Sequence, residues 1–163
     1  MLKAYMWRMK TQDILTPDSF YVGLRDLEQW AKQTEQPMDR AILHSLIAEF
    51  YANYAADNQW QLRQRTEIVG ETPSADIREW TANMFVEKVR TNVKEALADS
   101  LLLLKTSSRN YIPFVELGET SEYYHHDMYH LLASRAVRAL NQIERLERGS
   151  FNGITVSPVK QDI

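Results

Sequence analysis

Three of the four histidines of the chain fall inside one short stretch, Glu122-Tyr123-Tyr124-His125-His126-Asp127-Met128-Tyr129-His130. His126 and His130 are four residues apart. On a helix, that spacing points both imidazoles from one face, which is what a metal-binding pair needs. Glu122 and His125 carry the Glu-x-x-His spacing of di-iron bundles, where a carboxylate and an imidazole one turn apart hold iron. A di-iron centre also needs a second such pair and further inward carboxylates. The remaining histidine, His44, has no Glu three residues before it. A His-Glu-x-x-His peptidase site is excluded, because Asp127 follows His126 where the general-base Glu is required.

A different set joins His44 to His126 and His130. With the chain length, the helix order and the late His-x-x-x-His, this set resembles that of the DinB/YfiT-like four-helix metal proteins. The resemblance lies in spacing alone. It implies a metal-dependent bundle enzyme with these three histidines as ligands. The helical face map reads differently. At about 100° per residue, His126 and His130 lie about 100–140° from the centre of the apolar stripe on their helix, and His44 lies about 110° from its own. Ligands of a core metal must point inward together. His125 alone sits on the apolar side, where a single histidine is more often a hydrogen-bonded core residue. The expectation is therefore no metal and no cofactor, with His44, His126 and His130 as the candidate ligands and the whole stretch as an aromatic and imidazole contact surface.

A second feature is the polar face of the last helix. Arg135, Arg138, Arg145 and Arg148 lie along it with Asn141 and Gln142, flanked by Glu144 and Glu147. Arginine without lysine favours forked contact with carboxylate or phosphate. Nucleic-acid binding through phosphates, a protein interface, and a solvated face laced by Glu–Arg pairs all fit this pattern. The net charge of −3 and the lack of a basic stripe interleaved with aromatics argue against nucleic acid. A protein interface involving Arg135, Arg138 and Arg145 is the expectation.

Four helices are expected to position these groups. Thr16-Pro17-Asp18-Ser19 reads as a helix start, followed by Phe20, Leu24, Leu27 and Ala31 at helical spacing. Asp39 is the expected cap of the second helix. Its broad apolar face holds Ile42, Leu43, Leu46, Ile47, Phe50 and Tyr54. A second stripe, Ala41, Ser45, Ala48, Ala52 and Ala55, is made of small residues that let another helix approach closely. The second helix is thus expected to pack on both sides, with Ala41, Ser45, Ala48 and Ala52 facing a partner. Gly70 to Ser74 is a break. A third helix is expected from about Ala75 to Lys105, about 45 Å long at 1.5 Å per residue. Its apolar stripe switches sides, from Ile77, Trp80 and Met84 to Val86, Val89, Val93, Leu97 and Leu104. Tyr111 to Leu117, interrupted by Pro113, reads as a short strand or arm. Ser121 is the expected cap of the fourth helix and Gly149 its stop. Asn152-Gly153 fits a tight hairpin.

Composition sets the frame. The 163 residues suit one domain, with 44% hydrophobic and 25% charged residues. With only five Gly and five Pro, a barrel or sandwich rich in tight turns is excluded. The absence of cysteine excludes disulfides, thiolate metal sites and a cysteine nucleophile. The longest purely apolar run is Leu101 to Leu104, far short of a bilayer span. No Gly-rich phosphate loop, Gly-x-Ser-x-Gly elbow or strand–helix alternation is present. The sequence therefore reads as an all-α single domain. It has an N-terminal arm at 1–15, a helical body at 16–148, a C-terminal tail at 149–163, and one short strand or hairpin. The expected role is a non-catalytic, cytoplasmic assembly subunit, in a homo-oligomer or a larger complex such as a virion or a bacterial multi-protein particle. A metal-dependent bundle enzyme and a nucleic-acid adaptor are the alternatives.

Overall fold

A computed structural model describes residues 19–65, 74–111 and 126–151, with side chains described from 23 to 147 within those spans. The N-terminal arm at 1–15, the segment 112–117 and the Asn152-Gly153 hairpin lie outside the described residues. The described elements are helices: α1 (Ser19–Gln33), α2 (Pro37–Asp57), α3 (Gln59–Arg63), α4 (Ala82–Ala96), α5 (Ser100–Lys105) and α6 (Met128–Phe151). Short 3-10 turns at Ile77–Glu79 and Ser108–Tyr111 join them. Among the described residues there is no strand. A single antiparallel bridge pairs Ser107 with Asp127.

The all-α bundle is organised around α2. This helix packs against α4 and α6 most extensively and against α1 on a further side. Both of its expected faces are buried: Ile42, Leu43, Leu46 and Ile47 on one, Ala41, Ser45, Ala48, Ala52 and Ala55 on the other. Small side chains keep the neighbouring backbones close, so the two-sided packing follows from sequence. The partner is a different matter. Ala41, Ser45, Ala48 and Ala52 are buried in this chain's own interior, where the neighbouring helices of the same chain cover them. Pro37 occupies the first turn of α2, and Asp39 sits inside that turn rather than capping it. Proline is suited to that place because the first amides of a helix lack internal partners.

The expected long third helix is broken into three pieces. Trp80 and Thr81 adopt extended backbone after the 3-10 turn at 77–79, so α4 starts only at Ala82. At the other end, Leu97, Ala98 and Asp99 form a turn. The Asp99 carboxylate accepts the backbone N–H of Leu102 and caps α5 as a new helix. The switching stripe reports this redirection. Ile77 and Trp80 reach the core from the turn, and Val86 and Val89 from α4.

An aromatic cluster fills the layer between α2 and α4. The Tyr51 ring stacks on Trp80 at 5.4 Å, and Phe85 packs against Tyr51, Tyr54 and Trp80. Trp80 Nε1–H donates to the Ser74 carbonyl, and Tyr51 O–H donates to Glu28 Oε1 at 2.8 Å. Burial, and then the neighbouring Glu28 carboxylate, push the Tyr51 phenol far up, so it stays protonated and a donor. The Glu28 carboxylate also takes Lys88 Nζ at 2.9 Å, which ties α1, α2 and α4 together.

α6 runs through Gly149 to Phe151, so Gly149 is not its stop. Its buried face carries Met128, Leu132, Ala136, Ala139, Ile143 and Leu146.

Because Ala52 is wholly buried, Ala52→Glu places an unpaired charge in a dry helix contact. The expected outcome is loss of the cooperative fold, read as loss of the thermal transition in circular dichroism. Phe85→Ala is expected to cost about 3–5 kcal/mol in urea denaturation, the usual range for deleting a buried ring. A wild-type midpoint for either variant contradicts the central role given to α2.

Candidate functional site

The bridge at the start of α6 builds the site. Thr106 O accepts the backbone N–H of Met128 at 2.9 Å, and His126 O accepts that of Ser108 at 3.2 Å. The segment leaving α5 thereby holds the segment that enters α6. Asp127 is the residue before the first helical turn. Its Oδ1 accepts the backbone N–H of His130 at 2.9 Å, which makes it an N-cap.

This capping turn gathers three side chains. His130 Nδ1 lies 2.9 Å from Asp127 Oδ1 and 2.8 Å from Oδ2. His126 Nε2 lies 3.2 Å from Oδ2. One donor atom from each of His126, Asp127 and His130 falls within 4.8 Å of the others. The imidazoles stack with centroids 5.4 Å apart, and Tyr129 meets the His130 ring edge-on. The Asp127 side chain is only 8% exposed, whereas those of His126 and His130 are 68% and 50% exposed. The buried carboxylate is thus the floor of a cluster whose imidazoles face solvent.

Burial pushes the Asp127 carboxyl up. The backbone and side-chain hydrogen bonds from His130, with the charges of His130 and His126, outweigh it and hold the group below the usual carboxylate range. Ionised Asp127 therefore favours the folded state. That contribution is complete above the usual carboxylate range and is lost as pH falls through the lowered folded value.

The sequence-level set is rearranged in two ways. His126 lies before α6, so a capping turn rather than one helical face brings it to His130. His44 does not belong to this cluster. Its Nδ1 is hydrogen-bonded at 2.8 Å to Asn92 Oδ1, and Asn92 Nδ2–H donates to the Lys88 carbonyl. The three-histidine set is thus not assembled, and Asp127 stands in the third place. Periodicity could not find Asp127, because its direction depends on where the helix begins. The signal for it was an Asp three residues before a backbone amide at a helix start. Ser121, His125 and Glu122 lie outside the described residues.

The arginine face is divided between bundle contacts and solvent. Arg135 pairs with Glu49 and so cross-links α2 and α6 within the bundle. Gln142 donates to Asn53 at 2.9 Å, and Arg90 of α4 pairs with Glu147 at 3.0 Å. Arg138 and Arg145 are exposed. The Arg145 carbonyl accepts from the Arg63 guanidinium at 3.4 Å.

The cap predicts a contrast between two variants in buffer containing a metal chelator. Asp127→Ala is expected to lose about 1 kcal/mol of stability, the usual worth of an N-cap side chain. Asp127→Asn keeps a capping oxygen and is expected to retain most of it. Urea denaturation of both checks this, and equal losses would contradict the capping role.

Comparison with known protein families, with curated proteins and with solved structures finds no match to this chain, so its function rests on the geometry of these surfaces.

Proposed function

We propose that the chain is a non-catalytic helical subunit that assembles through protein–protein contacts, with a second copy of itself as the first partner. The observation that carries this reading is the surface of α5. Leu103 anchors the helix in the core, while Leu101 and Leu104, one turn apart, are 70% and 46% exposed. Val137 of α6 is also exposed, next to the exposed Arg138. Aliphatic side chains with an arginine beside them are the material of interface centres and rims. Among the described residues, no helix is long and apolar enough to cross a membrane.

Nucleic acid is the weaker reading. Arg135 and Arg90 are paired with Glu49 and Glu147, which lowers the positive charge that these two arginines offer to phosphate. A low net charge of −3 also puts little repulsion between copies.

Sedimentation velocity in the presence of a chelator tests the proposal. The wild type is expected to sediment as a multiple of its 19.1 kDa mass. Burying one leucine contributes about 1.5–3 kcal/mol, so Leu101→Ser with Leu104→Ser should weaken association by at least about tenfold while leaving helicity intact. A wild type that is monomeric at every concentration retires self-assembly. A double variant that assembles normally removes α5 from the interface.

A further inference from the structure

We propose that His126, Asp127 and His130 form a binding site for a divalent transition metal ion of the zinc class. This inference is independent of the assembly reading, since it concerns the capping turn of α6 and not the leucines of α5.

The geometry points to a shared ligand rather than to a cap alone. A helix cap needs one carboxylate oxygen and one backbone amide, and Asp127 Oδ1 with the His130 N–H supplies both. Oδ2 has no part in that cap, yet two imidazole nitrogens converge on it. His130 Nδ1 is 2.8 Å away and His126 Nε2 is 3.2 Å away. Two ligands bound at 2.0–2.1 Å to one tetrahedral zinc ion are about 3.3 Å apart. The two imidazole–carboxylate separations thus stand near the edge length of a coordination polyhedron, and all three donors lie within 4.8 Å of one another, so that side-chain rotation alone would admit an ion.

The donor set also fits the ion. Two imidazoles and one carboxylate suit zinc, cobalt, nickel and ferrous iron better than magnesium or calcium, which prefer all-oxygen shells. The carboxylate supplies a full negative charge at a helix start, where the helix dipole alone would repel a cation. Oδ1, fixed by the His130 amide, orients the group in the way that partners of a metal ligand usually do. The bridge of Thr106 and Ser108 to His126 and Met128 holds the backbone on which all three residues sit. On binding, the metal ion takes the place of the hydrogen between His130 Nδ1 and Asp127, and the neutral imidazole carries its single N–H on Nε2. Three protein ligands leave at least one position open to water. The exposed imidazoles place that position at the surface.

The assignment differs from the set that joins His44 to the late histidines. His44 is bonded to Asn92 and is not in the cluster. A His44 variant is therefore the internal control.

The test uses the full chain stripped with chelator and titrated with cobalt chloride. The visible d–d bands of the ion report its coordination, and zinc is then added as competitor. The expected result is one cobalt ion per chain, with bands typical of four or five ligands, displaced by zinc. His126→Ala and Asp127→Asn should each weaken binding by at least about tenfold, the size of loss that follows removal even of an outer partner of a metal ligand. Both variants should keep the wild-type circular dichroism, because His126 precedes the helix and Asn still caps it. His44→Gln should bind as the wild type does. Absence of a saturable cobalt signal in the wild type overturns the proposal. So does unchanged binding by both His126→Ala and Asp127→Asn, or loss of binding on His44→Gln.

Discussion

The structure depends on close packing around α2. Ala48, Ala52 and Ala55 lie against neighbouring elements with essentially no exposure, while Leu43 and Ile47 fill the other side. A helix surrounded in this way cannot be amphipathic. Its stability comes from large side chains that fill space on one side and from the absence of side chains on the other. Dense packing makes such a contact sensitive to single methylenes. Every other described helix takes its place from α2 or from a helix that α2 holds.

Polar seams fix the register at which the neighbours meet it. Glu28, Tyr51 and Lys88 join α1, α2 and α4 through one carboxylate. His44 and Asn92 join α2 and α4. Glu49 with Arg135, and Asn53 with Gln142, join α2 and α6. Aliphatic contacts alone allow helices to slide or rotate with little penalty. A hydrogen bond between half-buried groups is lost by a small slide, and the desolvated partner is then left unpaired. These pairs define which turn faces which, while the apolar core supplies most of the driving force.

That division explains what was legible beforehand. The apolar faces of α2 and α6 follow from spacing, and Leu24, Leu27, Ala139 and Ile143 are buried where periodicity places them. The stripe of small residues signalled two-sided packing, but residue size does not say whether the neighbour belongs to the same chain. The break after Ala96 was hidden because no Gly or Pro marks it. Asp99 ends the run by offering a cap to Leu102, and a capping Asp looks like any surface acid in a helical sequence. At the site, the two late histidines were visible from spacing. The pairing of His44 with Asn92 was not, because it joins residues on different helices through the bundle's own geometry.

The proposed metal site and the exposed leucines of α5 lie on either side of the backbone bridge between α5 and α6. Leu104 is two residues before Thr106, and Thr106 is hydrogen-bonded to Met128, the first residue of α6. The exposed face of α5 and the His126–Asp127–His130 cluster are therefore joined through a single backbone bridge. Ions and partners act on such a junction in different ways. A metal ion bound at the proposed site would add a few short, directional bonds to side chains that are already gathered, and so stiffen the capping turn. A protein partner of the kind proposed would cover aliphatic surface on the short helix that leads into the bridge. Stiffening one side of the bridge lowers the conformational entropy that the other side must lose on binding. Coupling between the two events would thus pass through the bonds at Thr106 and Ser108, with no need to move the rigid packing around α2.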